Sequence, residues 1–405
     1  MLTVDEALGK ILATTVPLEV TEISLSKSLG MTLAVDIHSP TDSPPFDKSL
    51  MDGYAVRFDD VVTGSPTLRV IETITAGHVS QKAVGPGEAS QIMTGAPIPA
   101  GANAVIKVEE TERDGHNVVI RSSLPVENEN IIRRGTSVRA GACVLRAGQT
   151  LNGSRIGALA ELGCAVVPVR RRPRVAILAT GDELVPVETT PGPGQIRNSN
   201  ESMLVAQIEA AGGIALPLGI AQDDRDALRH KIDLGLQSDI LVLAGGVSAG
   251  TLDLVPDTLA EAGVAEVFHK VQLKPGKPIW YGLKSINERN LTRTCYVFGL
   301  PGNPVSSLVC CELFVRTAIR RLMGVEPAVP QPILGKLEHA YSTRADRPTY
   351  HPARLTWTSD GLAVTLVSWH GSSDLCGTVA ANGMAYLTGE ARQLRAGDSL
   401  HTFAW

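Results

Sequence analysis

The sequence predicts a multi-domain protein of the α/β and β class, with a doubly wound, mostly parallel sheet, an N-terminal β module and a C-terminal β-barrel. The first reason is length, because 405 residues exceed one ordinary core and favour about two to four domains. The second is the stretch 174–326, where short apolar runs alternate with helical patterns, as in a parallel sheet covered on both faces. The third is that Val-, Ile- and Thr-rich runs separated by turn residues precede and follow this stretch.

The N-terminal part of the chain begins with a helical pattern. Thr3–Glu6 fits a capping box that opens an amphipathic helix, and a second short helix is expected near 24–30. The proline-rich segment 39–49 then breaks the chain. The runs RVIETITAG, ANAVIKVEET and HNVVIRSS, within 53–135, alternate with the period of strands, and 151–163 returns to helical spacing.

The strands of the predicted sheet are the apolar runs RVAILAT, IALPLGI, DILVLAGG, AEVFHKVQL and CYVFGL. Helical patterns lie between several of them, at 199–212, 225–236, 252–262 and 304–323. After residue 327, the alternating runs AVTLVSW, GMAYLTG and SLHTFAW predict a small closing barrel.

Composition argues against several classes of protein. A net charge of −5 does not suit a nucleic-acid partner. Asp5 and Glu6 stand where a signal peptide carries lysine or arginine, and no apolar run approaches the roughly 20 residues that span a bilayer. The six cysteines form no C-x-x-C pair and predict reduced, mostly buried thiols. We therefore expect a cytoplasmic protein without membrane or nucleic-acid partners.

Polar residues collect at the predicted carboxyl ends of the strands, where open α/β sheets bind ligands. The clusters are Thr180-Gly181-Asp182-Glu183, Gln222-Asp223-Asp224, Gly245 to Gly250 with Asp253, Lys270 with Lys274-Pro275-Gly276-Lys277-Pro278, and Gly299 to Pro304. Each cluster alone could be a turn, a helix cap or a solvated surface. Their joint occurrence at the strand ends predicts a ligand site.

The string Gly246-Val247-Ser248-Ala249-Gly250 fits the G-x-S-x-G elbow in which a hydrolase exposes a nucleophilic serine. The downstream histidines lie in strand-like or barrel-like sequence, and no earlier histidine-containing glycine loop is available for an oxyanion hole. A glycine-rich loop from strand to helix also offers backbone N–H groups to an anion. We favour this second interpretation, with Asp223 and Asp253 as candidate ligands of a divalent ion that bridges to phosphate oxygens.

Six strings resemble, in this order, the signature motifs of the molybdopterin molybdenumtransferases, which are molybdenum insertases of the MoeA type related to the gephyrin E domain. They are SLMDGYAV at 49–56, IMTGAP at 92–97, TGDEL at 180–184, GGVSAG at 245–250, KPGKP at 274–278 and GLPGNP at 299–304. The resemblance covers nearly the whole chain, and six ordered motifs are very specific.

This resemblance implies four domains: a linker domain made of 1–50 with 135–173, a β module at 51–134, a molybdopterin-binding α/β domain at 174–326 and a β-barrel at 327–405. It implies a homodimer whose active cleft combines the sheet of one subunit with the β module of the other. It also implies a Mg²⁺-dependent transferase that takes adenylylated molybdopterin and molybdate, releases AMP and leaves molybdenum on the dithiolene. The implied protein partners are the molybdopterin adenylyltransferase and apo-molybdoenzymes.

Roles for individual residues follow from the same resemblance. The implied catalytic residues are Asp52, Thr94, Glu183, Asp253, Lys270 and Lys274, and the implied metal ligands are Asp223 and Asp253. The implied binding residues for pterin, phosphate and oxyanion are Gly246, Ser248, Gly250, Lys277, Pro301, Asn303, Pro304, Arg347 and Ser372.

The chain departs from the family pattern in three places. Thr136-Ser137 stands where the family usually has a Glu-Asp pair, Leu254 replaces an aromatic residue, and Pro352 replaces a second arginine. Removing two carboxylates from a cleft should alter how Mg²⁺ and molybdate are held. The sequence therefore leaves two alternatives beside the typical enzyme, a diverged insertase with altered activity and a non-catalytic protein that binds or carries the pterin.

Two other enzyme classes fit less well. The adenylylating partner enzyme shares the sheet, but it would not need the segment 50–135 or the C-terminal barrel. A nicotinamide dehydrogenase needs G-x-G-x-x-G, which Gly245, Gly246 and Gly250 do not form.

Overall fold

The computed structural model describes residues 1–62, 64, 66–121, 126–222, 224–247, 254–288, 291–343, 347–390 and 392–405. The α-helices in this part of the chain are α1 (Val4–Thr14), α2 (Gly153–Glu161), α3 (Ser199–Ala210), α4 (Arg225–Gly235), α5 (Leu254–Glu261), α6 (Pro304–Cys310) and α7 (Arg316–Leu322). A π-helical turn at Cys311–Val315 joins α6 to α7. Short 3₁₀ turns lie at Leu25–Lys27, Phe58–Asp60, Val108–Glu110 and Cys376–Thr378.

The strands are β1 (Val20–Ser24), β2 (Thr32–Leu33), β3 (Ile37–His38), β4 (Lys48–Ser49), β5 (Gly53–Val56), β6 (Thr67–Ile74), β7 (Glu88–Ile92), β8 (Ala104–Lys107), β9 (Thr111–Asp114), β10 (Asn117–Ile120), β11 (Ile131–Ile132), β12 (Cys143–Leu145), β13 (Val166–Arg170), β14 (Arg174–Thr180), β15 (Leu184–Val185), β16 (Ile196–Arg197), β17 (Ile214–Ala221), β18 (Ile240–Ala244), β19 (Ala265–His269), β20 (Trp280–Glu288), β21 (Leu291–Leu300), β22 (Ile333–Leu337), β23 (Tyr341–Thr343), β24 (Thr349–Thr358), β25 (Gly361–Leu366), β26 (Gly383–Leu387), β27 (Arg392–Leu394) and β28 (Ser399–Ala404).

The described residues form two compact units. The first contains 1–35, 147–156 and 165–405, and the second contains 36–146 and 157–164. The finer division into four domains remains a prediction.

The second unit contains the predicted β module. Its six strands follow the order β8-β5-β7-β6-β10-β9, and only the β6–β7 pair is parallel among the described pairs. Alternate residues point inward, so Tyr54, Val56, Leu68, Ile106 and Val118 form one apolar core. The runs RVIETITAG and HNVVIRSS therefore contain half-buried strands, whereas the strand in ANAVIKVEET is buried on both faces.

The first unit is built on the predicted doubly wound sheet. Its strand order is β17-β14-β18-β21-β20-β19, in which β17, β14, β18 and β21 pair in parallel and β20 pairs antiparallel with both neighbours. Helices α1, α3, α6 and α7 cover one face, and α4 and α5 cover the other. Burial on both faces explains why the central strands read as unbroken apolar runs.

The sequence analysis did not separate β20 from its neighbours. Trp280–Glu288 is apolar only in its first half. Its second half still pairs with β21 but extends beyond the part of the sheet that the helices cover. This strand lies between β21 and β19, and β19 forms the edge of the sheet.

The C-terminal region closes into the predicted barrel. Strands β22, β25, β24, β26 and β28 form a closed ring around an apolar core, which contains Leu337, Ala353, Val364, Ala385 and Leu400. Closure leaves these strands without an open edge.

Two smaller predictions meet different outcomes. The capping box of α1 is confirmed, since the Glu6 N–H donates to Thr3 Oγ1 at 3.2 Å and the Thr3 N–H donates to Glu6 Oε2 at 2.8 Å. The second helix is only the 3₁₀ turn Leu25–Lys27.

The cysteines are free thiols, as predicted, but their burial is uneven. Cys295, Cys310 and Cys311 are buried, whereas Cys143 and Cys376 are exposed. Three of the six cysteines are therefore buried, all of them in the sheet and its helices, so the expectation that most are buried is met only in this part of the protein. Within the described ranges, the helices are too short or too polar to cross a membrane.

Candidate functional site

The carboxyl end of β14 carries the first predicted cluster. The Gly181 N–H donates to the Ala221 carbonyl at 3.3 Å, which ties the end of β14 to the end of β17. Gly181 has a φ of 144°, and a Cβ atom there would overlap the carboxylate of Glu183. Glu183 is exposed and therefore lies against the backbone at this edge of the sheet.

The two glycines after β18 allow a close approach between neighbouring strand ends. Gly245 has a φ of 107°, and a Cβ atom there would lie 2.6 Å from the Thr180 carbonyl oxygen. Gly246 has a φ of 66°, and its Cβ would lie 2.5 Å from a methyl group of Val255. Side chains are excluded at both positions, so the backbone itself forms this part of the edge.

Four of the predicted site residues fall in parts of the loops after β17 and β18 that lie outside the described residues. Ser248, Gly250 and Asp253 lie outside the described residues, and so does Asp223. The anion cradle and the metal ligands therefore stay predictions. Among the residues that the structure does describe, no cluster of three or more His, Cys, Asp or Glu side chains could hold a metal ion.

The lysine-rich loop between β19 and β20 is closed by its own backbone. Lys270 adopts a left-handed conformation with a φ of 72°, and its N–H donates to the Ile279 carbonyl at 2.9 Å. The Val271 N–H donates to the Lys277 carbonyl at 3.0 Å. These bonds fix the spacing of the lysines along the loop.

Neighbouring elements hold the same loop from outside. Gly276 has a φ of 118° and packs so closely on α6 that a Cβ atom would overlap the Cys310 sulfur. On the other side, the Lys274 N–H donates to the Pro348 carbonyl and the Lys274 carbonyl accepts from the Tyr350 N–H, both at 2.8 Å. The loop is therefore held between α6 on one side and the start of β24 on the other.

The Pro-Gly-Asn-Pro segment after β21 begins α6 and contacts the C-terminal region. Asn303 is the N-cap and Pro304 the first helical residue, a position that proline favours. The Asn303 side-chain amide donates to Ser372 Oγ at 3.0 Å, and the Val305 N–H donates to the Ser372 carbonyl at 2.9 Å. Pro301, two residues before Asn303, is buried.

These elements enclose a cavity of about 470 Å³. Its lining consists of Leu273, Lys274, Pro275, Gly276, Lys277, Pro278, Pro301, Asn303, Ser306, Tyr341, Arg347, Trp369, His370, Gly371 and Ser372. Lys274, Lys277 and Arg347 are cationic, and no carboxylate occurs in this described lining. At an effective dielectric constant of about 20, a cation ~4 Å from an anion contributes ~4 kcal/mol of Coulomb energy. The cavity is therefore suited to a small, highly charged anion.

The structure brings together six of the predicted binding and catalytic residues. Lys274, Lys277, Pro301, Asn303, Arg347 and Ser372 line the cavity. Of the other predicted residues that the structure describes, Glu183, Gly246, Lys270 and Pro304 belong to the same unit and do not line it, and Asp52 and Thr94 belong to the second unit.

The sequence analysis missed several lining residues, among them Ser306, Tyr341, Trp369 and His370. The polar run Trp369-His370-Gly371-Ser372 follows β25, and the analysis applied the rule on strand ends only to the sheet. That rule holds for open parallel sheets and does not extend to a closed barrel of mostly antiparallel strands, so no local pattern marks this run.

A second cavity of about 600 Å³ lies at the carboxyl end of β17. Its polar lining residues are Glu188, Asn198, Glu201, Ser202, Gln222 and Lys231. Gln222 belongs to one of the predicted clusters, whereas the other five were not predicted.

Asp52 and Thr94 form a hydrogen-bonded pair on the β module. Asp52 Oδ1 accepts from the Thr94 N–H at 2.6 Å and from Thr94 Oγ1 at 2.7 Å. These two bonds, the backbone one first, hold the pKa of the Asp52 carboxyl below its ordinary value. Gly53 is required beside them, because a Cβ atom there would overlap the Ile106 carbonyl oxygen. Both partners are exposed to solvent.

The turn that carries Thr136 and Ser137 is ordered by backbone contacts. Thr136 Oγ1 donates to the Arg133 carbonyl at 2.6 Å, and the Ser137 N–H donates to the Ser43 carbonyl at 2.9 Å. Both residues are exposed. Two hydroxyl groups therefore occupy the surface where the family pattern has two carboxylates.

The arginines before this turn are paired within the same unit. Arg133 forms an ion pair with Asp47, and Arg134 Nε donates to Asp42 Oδ2 at 2.6 Å. The charges of these arginines are thus balanced without the missing Glu-Asp pair.

The fold and the cavity define a protein that binds an anionic small molecule beside an open α/β sheet. Residues 2–163 match the model of the MoeA N-terminal region (domain I and II), and residues 176–321 match that of a probable molybdopterin binding domain. The chain is 34% identical to a molybdopterin molybdenumtransferase of Staphylococcus epidermidis and 35% identical to one of Staphylococcus aureus, in each case over 98% of this chain and 94% of the relative. A crystal structure of a molybdopterin biosynthesis MoeA protein from Pyrococcus horikoshii superimposes on all of the chain with a TM-score of 0.84 at 27% identity and is itself fully covered.

The chain belongs to the molybdopterin molybdenumtransferase family, the MoeA-type proteins of molybdenum cofactor biosynthesis. The resemblance inferred from the six ordered motifs is thereby confirmed.

Proposed function

We propose that this chain is a molybdenum insertase, which transfers molybdenum from molybdate to adenylylated molybdopterin and releases AMP. The observation that carries the proposal is the cavity with Lys274, Lys277 and Arg347 and no described carboxylate in its lining. Molybdate is a dianion, and three convergent cations compensate its charge. Family membership supplies the identity of the pterin substrate.

The oxyanion is held by charge and by hydrogen-bond donors. Lys274 and Lys277 extend from a loop fixed on both sides, and Arg347, which precedes the Pro348 bonded to that loop, contributes a planar guanidinium. Ser372, whose hydroxyl accepts from Asn303, still has its own proton to donate. Lys270, Pro301 and Pro304 shape the pterin pocket, and Glu183 serves the region of the nucleotide phosphate and the metal.

The phosphate and the metal belong to the loops after β17 and β18. Gly246, Ser248 and Gly250 offer backbone and hydroxyl groups to the nucleotide phosphate. Asp223 and Asp253 are the proposed Mg²⁺ ligands, and the fit rests on their chemistry, since carboxylate oxygens are the ligands that Mg²⁺ prefers. When bound, Mg²⁺ supplies charge neutralisation at the phosphate.

The β module contributes Asp52 and Thr94 to the active cleft of a homodimer. The hydrogen bonds of this pair favour the ionised carboxylate, which suits a role beside a metal ion. We extend the proposal to the four domains named from the sequence, to a cytoplasmic location, and to the molybdopterin adenylyltransferase and apo-molybdoenzymes as partners.

Thr136 and Ser137 support a second candidate, a protein that binds or carries molybdopterin without inserting the metal. They remove two carboxylates from the proposed cleft, whereas the retained Asp52 and the cavity cations support the enzyme.

A single-turnover assay separates these functions. The protein is loaded with adenylylated molybdopterin, Mg²⁺ and molybdate, and AMP release is followed together with reconstitution of an apo-molybdoenzyme. Release with reconstitution supports the insertase, and tight binding with neither supports the carrier. In Lys274→Gln we expect molybdate affinity to fall about tenfold or more, because one cation near the dianion is lost. Lys336→Gln, at an exposed barrel position, serves as the matched control.

A further inference from the structure

A histidine and an aspartate form a fixed pair at the rim of the cationic cavity. His370 lines the cavity, and its Nδ1 lies 3.1 Å from Asp374 Oδ2. The His370 N–H also donates to Asp374 Oδ2 at 3.1 Å, while Asp374 Oδ1 accepts from the Gly377 N–H at 2.9 Å. Three contacts therefore hold the carboxylate, which is 24% exposed, whereas the imidazole is 86% exposed.

This arrangement sets the tautomer of the imidazole. The N–H groups of His370 and Gly377, followed by the imidazole, hold the pKa of the Asp374 carboxyl below its ordinary value. An ionised carboxylate can only accept hydrogen bonds, so Nδ1 of His370 carries the proton. In the neutral ring Nε2 then keeps its lone pair, and within the described part of the chain Nε2 has no hydrogen-bond partner.

The other titratable groups that face the cavity cannot act as a base. Lys274, Lys277 and Arg347 are the cations that hold the anion, and an arginine does not release its proton in a protein. Burial raises the pKa of the Tyr341 phenol, which keeps it protonated. Among the titratable groups of the described lining, the imidazole of His370 remains as the one that presents a ring nitrogen without a hydrogen-bond partner.

We propose that His370 is the general base of the insertion step and that Asp374 is its positioning residue; this inference rests on the proposed insertase function. The overall change is MoO₄²⁻ + R(SH)₂ → [MoO₃(S₂R)]²⁻ + H₂O. Two S–H bonds and one Mo–O bond break, two Mo–S bonds form, and both thiol protons leave on the departing oxygen as water. His370 Nε2 takes the first thiol proton and returns it to the oxygen that leaves, so the ring ends the step unchanged.

The geometry favours this role because the attacking thiol must lose its proton beside an oxyanion bound in the same cavity. The thiolate, and not the thiol, is the nucleophile, so a group that takes the thiol proton favours the attack. A positioned base typically contributes about 10²- to 10⁴-fold to such a step.

The test compares His370→Gln with His230→Gln, a substitution of an exposed histidine on α4 that lines neither described cavity. We expect His370→Gln to lower the single-turnover insertion rate at pH 7 by about 100-fold. Its rate should rise steadily with pH toward the ionisation of the thiol, and added imidazole should restore part of it, since the ring position is open to solvent. Molybdate affinity, measured by calorimetry, should change less than threefold. Asp374→Asn should give a smaller loss with the same change in pH profile.

The outcomes separate this inference from the proposed function. If the wild-type protein inserts molybdenum and His370→Gln does so at the same rate and with the same pH profile, His370 is not the base and the insertase remains. If His370→Gln loses molybdate affinity in proportion to rate, with no rescue by imidazole, the histidine only binds and the inference is overturned. If the wild-type protein neither releases AMP nor inserts the metal, the proposed function itself fails.

Discussion

At the scale of single residues, the hydrogen bonds from Thr94 decide the ionisation of Asp52. Thr94→Val keeps the backbone N–H bond but removes the hydroxyl, so the pKa of Asp52 should rise toward its ordinary value. A carboxyl with a lowered pKa contributes its stabilisation above the unfolded pKa and loses it as pH falls through the folded pKa. In Thr94→Val, Asp52 should become protonated at a higher pH than in the wild type. The acid limb of the insertion rate, where the rate falls as the pH falls, should therefore move to higher pH.

A carbon-13 NMR titration of the Asp52 carboxyl measures this shift directly. Thr94→Ser retains the hydroxyl and should match the wild-type titration. Equal Asp52 pKa values in Thr94→Val and the wild type would contradict the role given to the hydroxyl.

At the scale of structural elements, the lysine loop depends on its contact with α6. Gly276→Ala introduces a Cβ atom that overlaps the Cys310 sulfur, at a φ of 118° that side chains rarely adopt. We expect a loss of roughly 1–3 kcal/mol in the free energy of unfolding and weaker molybdate binding. Urea unfolding and calorimetry measure the two effects.

The double variant Gly276→Ala/Cys310→Ala separates the two causes. Removing the sulfur relieves the overlap but leaves the backbone strain, so only part of the stability should return. Full recovery would mean that the left-handed conformation of Gly276 costs nothing, and no recovery would mean that the contact with Cys310 is irrelevant.

The turn at 133–138 tests whether this chain is a diverged insertase. In Thr136→Glu/Ser137→Asp the turn should persist, because backbone bonds hold it and the arginines before it are already paired with Asp42 and Asp47. The two restored carboxylates should lower the Mg²⁺ concentration needed for half-maximal AMP release. A Mg²⁺ titration of AMP release measures it, and unchanged turnover together with unchanged metal dependence would reject the idea of altered activity.

Elements with strong local signals could be predicted from the sequence, and contacts between distant segments could not. RVAILAT reads as a buried strand because both faces of β14 are covered, and the capping box of α1 is complete within four residues. Trp280–Glu288 was missed because its second half carries no apolar period. Trp369 and His370 were missed because no local pattern reports that the loop after β25 folds onto the lysine loop.

At the scale of the whole molecule, the proposed homodimer makes a sharp prediction about where activity resides. Asp52 lies in the second unit and Lys274 in the first, so Asp52→Asn damages the β module and Lys274→Gln damages the sheet cavity. If each cleft combines the sheet of one subunit with the β module of the other, a dimer with one subunit of each variant has one intact cleft and one doubly damaged cleft.

Co-expression with two different affinity tags yields that mixed dimer in pure form. It should recover about half of the wild-type insertion rate, although each variant alone is nearly inactive. The two single-variant homodimers, purified with the same tags, are the controls. If both residues served a cleft within one subunit, every cleft of the mixed dimer would carry one defect, and its rate would not exceed the mean of the two homodimers. A monomeric wild-type protein in light scattering would exclude the shared cleft outright.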